Sequence, residues 1–322
     1  MINNNNNLSD IGSLSATTYY GDGSNLTGVS VSGGTYWTAG SGGVYSVKAL
    51  NDSGLDASAD YSYAEGSGTT AGGIASHAEG KNTSSYGIAS HTEGSGTTAN
   101  GNMSHAEGQD TTANGDGSHA EGYYTVATGY GSHSEGFYTK TYGYYSHAEG
   151  YMTTASGLAP HAEGIYTNST GEASHAEGYG SMASGSYSHA EGQNTTSSGI
   201  ASHAEGTGSR ASGPGSHAEG WNTIAGGLLS GINANHAEGR QTTASGRYSH
   251  AEGYLTYALG DSSHAEGYNT FTNGAADGSH AEGHSTQTVG AYAYAEGTGS
   301  LAWSNFSHAE GIKTYTYDPF CV

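Results

Sequence analysis

Ser146-His147-Ala148-Glu149-Gly150 is one copy of a block that returns along most of the chain, inside a 14-residue period. Its Glu-Gly pair occurs eighteen times, from Glu65-Gly66 to Glu310-Gly311. Two residues before the glutamate stands a histidine in sixteen copies and a tyrosine, Tyr63 or Tyr294, in the other two. The spacing departs from 14 twice, by five residues between His217 and His236 and by two between His264 and His280. A fixed short period over most of a chain means stacked supersecondary units.

The full repeat reads S-H-A-E-G-x-x-T-x-A-x-G-x-x. Thr153 and Ala155 stand two apart and so share one face of a strand. The position between them wanders through Val126, Lys140, Arg210 and Tyr257, as a solvent face would. The glycines at Gly150 and Gly157 punctuate the strands and are expected to supply tight corners with φ > 0. A helical repeat is excluded, since a glycine every ~7 residues would cost roughly 1 kcal/mol each. The fold class expected is all-β, a parallel β-roll or β-solenoid of about 18 fourteen-residue turns. At ~4.8 Å per turn it makes a rod of roughly 86 Å. Its core of Ser, Ala and Thr is thin, so further copies of the chain should bury surface against it, and cyclic homo-oligomers are the default. Leu228-Leu229-Ser230-Gly231-Ile232, in the longer insertion, should extrude as a loop without breaking the stack.

Composition agrees. The 322 residues include 56 glycines and only 33% hydrophobic residues, too little bulky apolar material for a layered core. Low hydropathy with high net charge normally indicates disorder, but strict periodicity overrides that, because repeats stack backbone on backbone. The net charge is −22 with seven Lys and Arg, which argues against a nucleic-acid partner and an anionic membrane surface. Eighteen of the negative charges are the repeat glutamates. The lone Cys321 permits no intrachain disulfide. Met1-Ile2 leads into Asn3–Asn7, with neither the basic region nor the apolar core of a secretory signal, and no window approaches the ~18 apolar residues of a membrane span. Synthesis in a cytoplasm without a standard export signal, and no membrane insertion, are therefore expected. Residues 1–34 read as an N-terminal attachment segment, 35–60 as the cap of the solenoid, 61–317 as the repeat β-roll and 318–322 as a C-terminal tail.

The repeat resembles the S-V-A-I-G-x-x-S-x-A-x-G-x-x repeat of trimeric autotransporter adhesin heads, which form left-handed parallel β-rolls. The Ser-His-Ala-Glu-Gly version is similar to repeats of bacteriophage tail-fibre and neck-appendage proteins. Some of those carry a self-cleaving C-terminal chaperone domain, which would make Val322 either a native end or a cleavage product. Tyr20-Gly21-Asp22-Gly23-Ser24-Asn25-Leu26-Thr27-Gly28 resembles a segment frequent near the N-termini of marine-phage structural proteins. The resemblance implies a homotrimer and a non-enzymatic structural and adhesive role. The expected setting is a phage tail fibre or appendage in the virion, made in the host cytoplasm and joined to other virion proteins through its N-terminus. The alternatives are a cell-surface trimeric adhesin head and a glycan-cleaving tail spike. A tail spike would need a non-repeating carboxylate pair, whereas only Glu172 and ten aspartates lie outside the repeat positions.

Histidine and glutamate two apart, as in His77/Glu79, His105/Glu107, His147/Glu149, His189/Glu191 and His250/Glu252, suit metal ligation or acid–base chemistry. Catalysis needs a unique constellation in a pocket, and a pair repeated on every turn is a structural ladder. No catalytic residue, metal or cofactor is assigned. A threonine ladder is also a pattern of ice-binding surfaces, but these threonines alternate with a variable outer face and look inward. His147 and Glu149 share one side of their strand, Ser146 and Ala148 the other. Alignment with the adhesin Val and Ile would place His and Glu inside the roll. Burying that many carboxylates would cost several kcal/mol per ion, which favours the outer side, towards a trimer seam. Tyr123, Tyr124, Phe137, Tyr138, Tyr151 and Tyr166 follow Glu-Gly on successive turns, with Tyr130, Tyr142, Tyr144 and Tyr145 nearby. They should gather into one aromatic strip, which either packs in a subunit groove or forms a platform for host surface glycans.

Overall fold

The structure, a computed structural model, describes residues 37–49, 54–227 and 234–317. The expected attachment segment and the 318–322 tail lie outside them. Within the repeat each turn contributes a five-residue strand, such as His147–Tyr151, and a two-residue strand, such as Thr154–Ala155. Each strand pairs in parallel with its equivalent one turn away, so His133 faces His147, which faces His161. The short strands form a ladder of nineteen, from Asp56–Ala57 to Tyr315–Thr316. The chain is thus an all-β parallel solenoid of about nineteen turns, one more than the Glu-Gly blocks count. At the N-terminal end β1 (Trp37–Ala39) runs antiparallel to β2 (Val47–Ala49), and β2 joins the long-strand ladder in parallel.

Side chains inside the roll follow the alternation. Ala148 and Ala155 are fully buried, as are Ser146 and Thr153 within about one per cent. Among the described residues the largest side chain wholly inside is Asn235, followed by a series of threonines. Each buried methyl contributes only ~0.8 kcal/mol, so the turn-to-turn backbone hydrogen bonds carry much of the order. They continue round the corners: Met152 N–H donates to the Phe137 carbonyl and Ala159 N–H to the Tyr144 carbonyl, both at 2.8 Å. The buried serine closes its turn from within, Ser146 Oγ donating to the Gly143 carbonyl at 2.6 Å.

The corners correct one expectation. Gly150 has φ of +104°, as foreseen, whereas Gly157 does not adopt a positive φ. Gly157 is required by contact, since a Cβ there would lie 2.2 Å from the carbonyl oxygen of Gly171 on the next turn. The left-handed corners fall at two other positions of each turn, held by Met152 (φ 55°) and Ala159 (φ 52°) and their equivalents.

Both insertions leave the register intact. His217 pairs with His236 and Ile224 with Thr243 across the longer one, whose expected loop, 228–232, lies outside the described residues. Across the shorter one His264 pairs with His280, and Gly274 and Ala275 are exposed while Ala276 turns in and is fully buried. No helix among the described residues is long and apolar enough to cross a membrane.

Candidate functional site

With alanine directed inward, the flanking histidine and glutamate of each long strand point out of the roll. Their side chains are about a third exposed, for example 35% for His147 and 34% for Glu149. The adhesin-based placement of His and Glu inside the roll is therefore not what the chain adopts: the narrow interior takes the small residue between them, alanine on most turns, Thr92 and Ser134 on two. His77, His105, His147, His189 and His250 all join one column. From His77 to His264 successive imidazole centroids lie 4.7–5.0 Å apart, with planes within 13° of parallel. The stack runs unbroken across the longer insertion, His217 to His236 at 5.0 Å. Tyr63 and Tyr294 occupy the histidine place on their turns and meet a neighbouring ring edge-on.

The glutamates make a parallel column at hand. His119 Nε2 lies 3.8 Å from Glu107 Oε1 on the preceding turn and 3.8 Å from Glu121 Oε2 on its own. His133 and His147 repeat this bracket at 3.8–3.9 Å. Glu79, Glu191 and Glu252 sit beside histidines in the same way, at 3.5–3.9 Å. Five of the glutamates, Glu93 to Glu149, line an open groove of about 720 Å³ floored by glycines of the same strands.

Carboxylates repeating at the strand spacing cannot all ionise freely. Glu121 is pushed up to about 8, chiefly by sharing a proton with Glu135 and Glu107 and then by burial. Glu135 is correspondingly held down to about 2 by accepting from Glu121 and Glu149. Glu79 and Glu163 are raised to about 7 by the same sharing with Glu65 and Glu149 respectively. Burial in the stack, then repulsion from His105 and His77, lowers His91 to about 4, and burial lowers His119, His147 and His161 as well. Neutral imidazoles at His91, His119, His147 and His161 thus stand beside carboxylates that share protons.

The aromatic residues divide. Tyr123, Phe137 and Tyr151 stack face to face at 5.1 and 5.0 Å, and Tyr124 stacks on Tyr138 at 4.8 Å. Tyr166 meets Tyr151 edge-on at 5.6 Å, so these six form one strip. Tyr130, Tyr144 and Tyr145 pack together as a separate group and do not extend it. A second strip at the same corner was not foreseen. The Arg240 guanidinium lies 4.0 Å over the Trp221 ring and 5.3 Å from that of Tyr254, and Tyr268 stacks on His284. Its signal was present in the residue after Glu-Gly on those turns.

Residues 93–118, 106–132 and 176–199 match the family model described as the YadA head domain repeat. The match covers about a fifth of the chain. No curated protein matches the chain. Over those turns the protein is similar to a YadA-type adhesin head repeat, and the parallel solenoid fits such a head.

Proposed function

We propose that the protein is a non-enzymatic structural and adhesive fibre that assembles as a homotrimer, with the histidine–glutamate face of each roll turned to its partners. The observation that carries this reading is the ladder itself: a continuous outward column of stacked imidazoles and proton-sharing carboxylates, one third exposed, beside an open groove. Such a surface gains from association, where imidazole Nδ1–H groups of one chain, the Nε2 atoms being occluded, donate to carboxylates of another. The adhesin-type repeat match supports a role in attachment. The Ser-His-Ala-Glu-Gly wording of the repeat supports a phage tail fibre or appendage as its setting, with residues 1–34 joining other virion proteins. A trimeric adhesin head on a cell surface is supported equally by the repeat match.

Mass measurement by light scattering tests the assembly, and three times the 32.5 kDa chain mass is expected. A stable monomer at micromolar concentration would sink the proposal. Immunogold labelling separates the settings, marking virions in one case and cell surfaces in the other.

The strip from Tyr123 to Tyr166 is proposed as the contact for host surface glycans. The inner faces of Tyr123, Phe137 and Tyr151 cover one another, so a sugar would meet ring edges, hydroxyls and the more open Tyr166, which is 49% exposed. Alanine at Tyr124, Tyr138 and Tyr166 should abolish adsorption to host cells while leaving assembly intact. Unchanged adsorption would return these rings to a packing role.

A further inference from the structure

The residue after Glu-Gly ends the long strand of its turn, and on consecutive turns it is Trp221, Arg240, Tyr254, Tyr268 and His284. Parallel register sets these side chains one above another in steps of ~4.8 Å. The Arg240 guanidinium lies 4.0 Å over the Trp221 ring and 5.3 Å from the Tyr254 ring, so it meets an aromatic ring on each neighbouring turn. Tyr254 and Tyr268 are 5.2 Å apart, and Tyr268 stacks on His284 at 4.8 Å, within 3° of parallel. Thr207 precedes Trp221 in this column and Thr298 follows His284, so the strip is bounded by small residues at both ends.

Arg240 is the unusual member. The chain holds seven Lys and Arg against 29 Asp and Glu, yet among the described residues the only Lys or Arg ion pair is Arg247 with Asp261. Arg240 has none, although Glu238 stands two residues before it on the same strand and side. Cation–π contact with the two rings holds it instead. The five N–H donors of a guanidinium lie in its plane, so stacking leaves that edge for an acceptor. Arg240, Trp221, Tyr268 and His284 are all exposed. A fork of donors set among exposed rings matches a sugar carrying a carboxylate: the fork takes the acid group in a bidentate pair, and the rings take the C–H faces of the sugar. The glutamates narrow the choice. Each strip residue has a repeat glutamate two places before it, ~7 Å along the strand and inside the ~8 Å screening length. A sulfated or phosphorylated polyanion would meet that column on every turn, whereas a single carboxylate meets Arg240.

We propose that the strip from Trp221 to His284 binds an oligosaccharide with one carboxylate-bearing sugar, whose acid group is held by Arg240 and whose neutral neighbours lie against the flanking rings. The site rests on the adhesive reading for the presence of such sugars on a host surface. It uses turns separate from those of Tyr123 to Tyr166, and its ligand is of a different charge class from a neutral glycan.

Ligand-detected NMR on the full chain tests this with sialyllactose, a glucuronic-acid disaccharide and, for comparison, lactose. At least one acidic sugar is expected to bind about tenfold or more tightly than lactose, because lactose offers the fork no carboxylate. Arg240→Gln should remove that preference, and Arg240→Lys should restore little of it, since lysine keeps the charge without the planar fork. Arg210→Gln, which removes the same charge from the short-strand ladder, should leave it unchanged. Should the Arg240 variants not fold, the carboxyl methyl ester of the bound sugar gives the readout on the unaltered protein, and its affinity should fall to that of lactose. No binding of either acidic sugar, equal binding of lactose, an unchanged preference in folded Arg240→Gln, an equal loss in Arg210→Gln, or full affinity of the ester would each overturn the site. Adsorption to host cells is measured alongside. Its absence would sink the adhesive reading, whereas adsorption without acidic-sugar binding would sink only this site.

Discussion

At the scale of the residue, two positions per turn hold ordinary side chains in a conformation that favours glycine. Met152 at φ 55° is representative, and the left-handed region costs an L-residue roughly 1–2 kcal/mol. Met152→Gly should therefore stabilise the protein, by up to about 1 kcal/mol once the added freedom of the unfolded chain is subtracted. Met152→Val should destabilise it by more than ~1 kcal/mol. Urea midpoints of the two variants moving in the same direction would contradict this. Protonation acts at the same scale. Glu121, raised to about 8, gives stability that is complete below its unfolded value of 4.5 and is lost as pH rises through about 8. Glu79 and Glu163 act likewise, through about 7. The lowered histidines act in the other direction. Their contribution is present above 6.5 and is lost as pH falls, through about 4 for His91. Glu135 loses its contribution only as pH falls towards about 2. Between pH 6.5 and 8.5 the raised carboxyls alone decide the sign. Calorimetry should then show the melting temperature falling across that interval, and Glu121→Gln should flatten the fall. A rise over the interval would refute the shared-proton column.

At the scale of the element, the turn was legible where chemistry repeats and illegible where geometry is set by the next turn. The inward set of Ser146, Ala148, Thr153 and Ala155 followed from alternation alone, because a strand reverses its side chains at every residue. The role of Gly157 did not, since its constraint is the Gly171 carbonyl one turn on, which no local pattern displays. The left-handed corners did leave a trace. Val, Ile and Thr never occur at the positions of Met152 and Ala159 in any described turn, whereas all three occur at the position of Thr154, as Val126, Ile224 and Thr154 itself. That Nε2 of the column histidines, His280 excepted, is shut off from solvent was beyond sequence reasoning, because it depends on how the rings lie between the carboxylates. Glycine substitutions test the element directly. Gly157→Ala drives a Cβ into backbone that cannot yield, and should cost ~1–3 kcal/mol or more. Gly274→Ala meets nothing within 4 Å and should be neutral within ~0.5 kcal/mol. Thermal melts of equal midpoint for the two variants would show that inter-turn contact is not what fixes these glycines.

At the scale of the whole molecule, stability is a sum over neighbouring turns. Removing residues 147–160 should leave a folded rod shorter by ~4.8 Å, measurable by electron microscopy or small-angle scattering. Loss of folding would show that the turns are not interchangeable. Association makes a contrasting demand. Glu149→Ala should weaken oligomerisation far more than Thr154→Ala, which alters only the variable face, and equal effects in sedimentation would remove the ladder from the interface. Interchangeability also has a cost in information. A growing chain that docks a strand one whole repeat out of place finds His against His, Glu against Glu and Gly against Gly, so the error carries almost no local penalty. Correct addressing then depends on the few turns that differ: Tyr63 and Tyr294 in the histidine column, Thr92 and Ser134 in the alanine column, and the two insertions. These irregularities serve as index marks on an otherwise uniform tape, and they let a chain of near-identical turns count itself into a rod of one defined length.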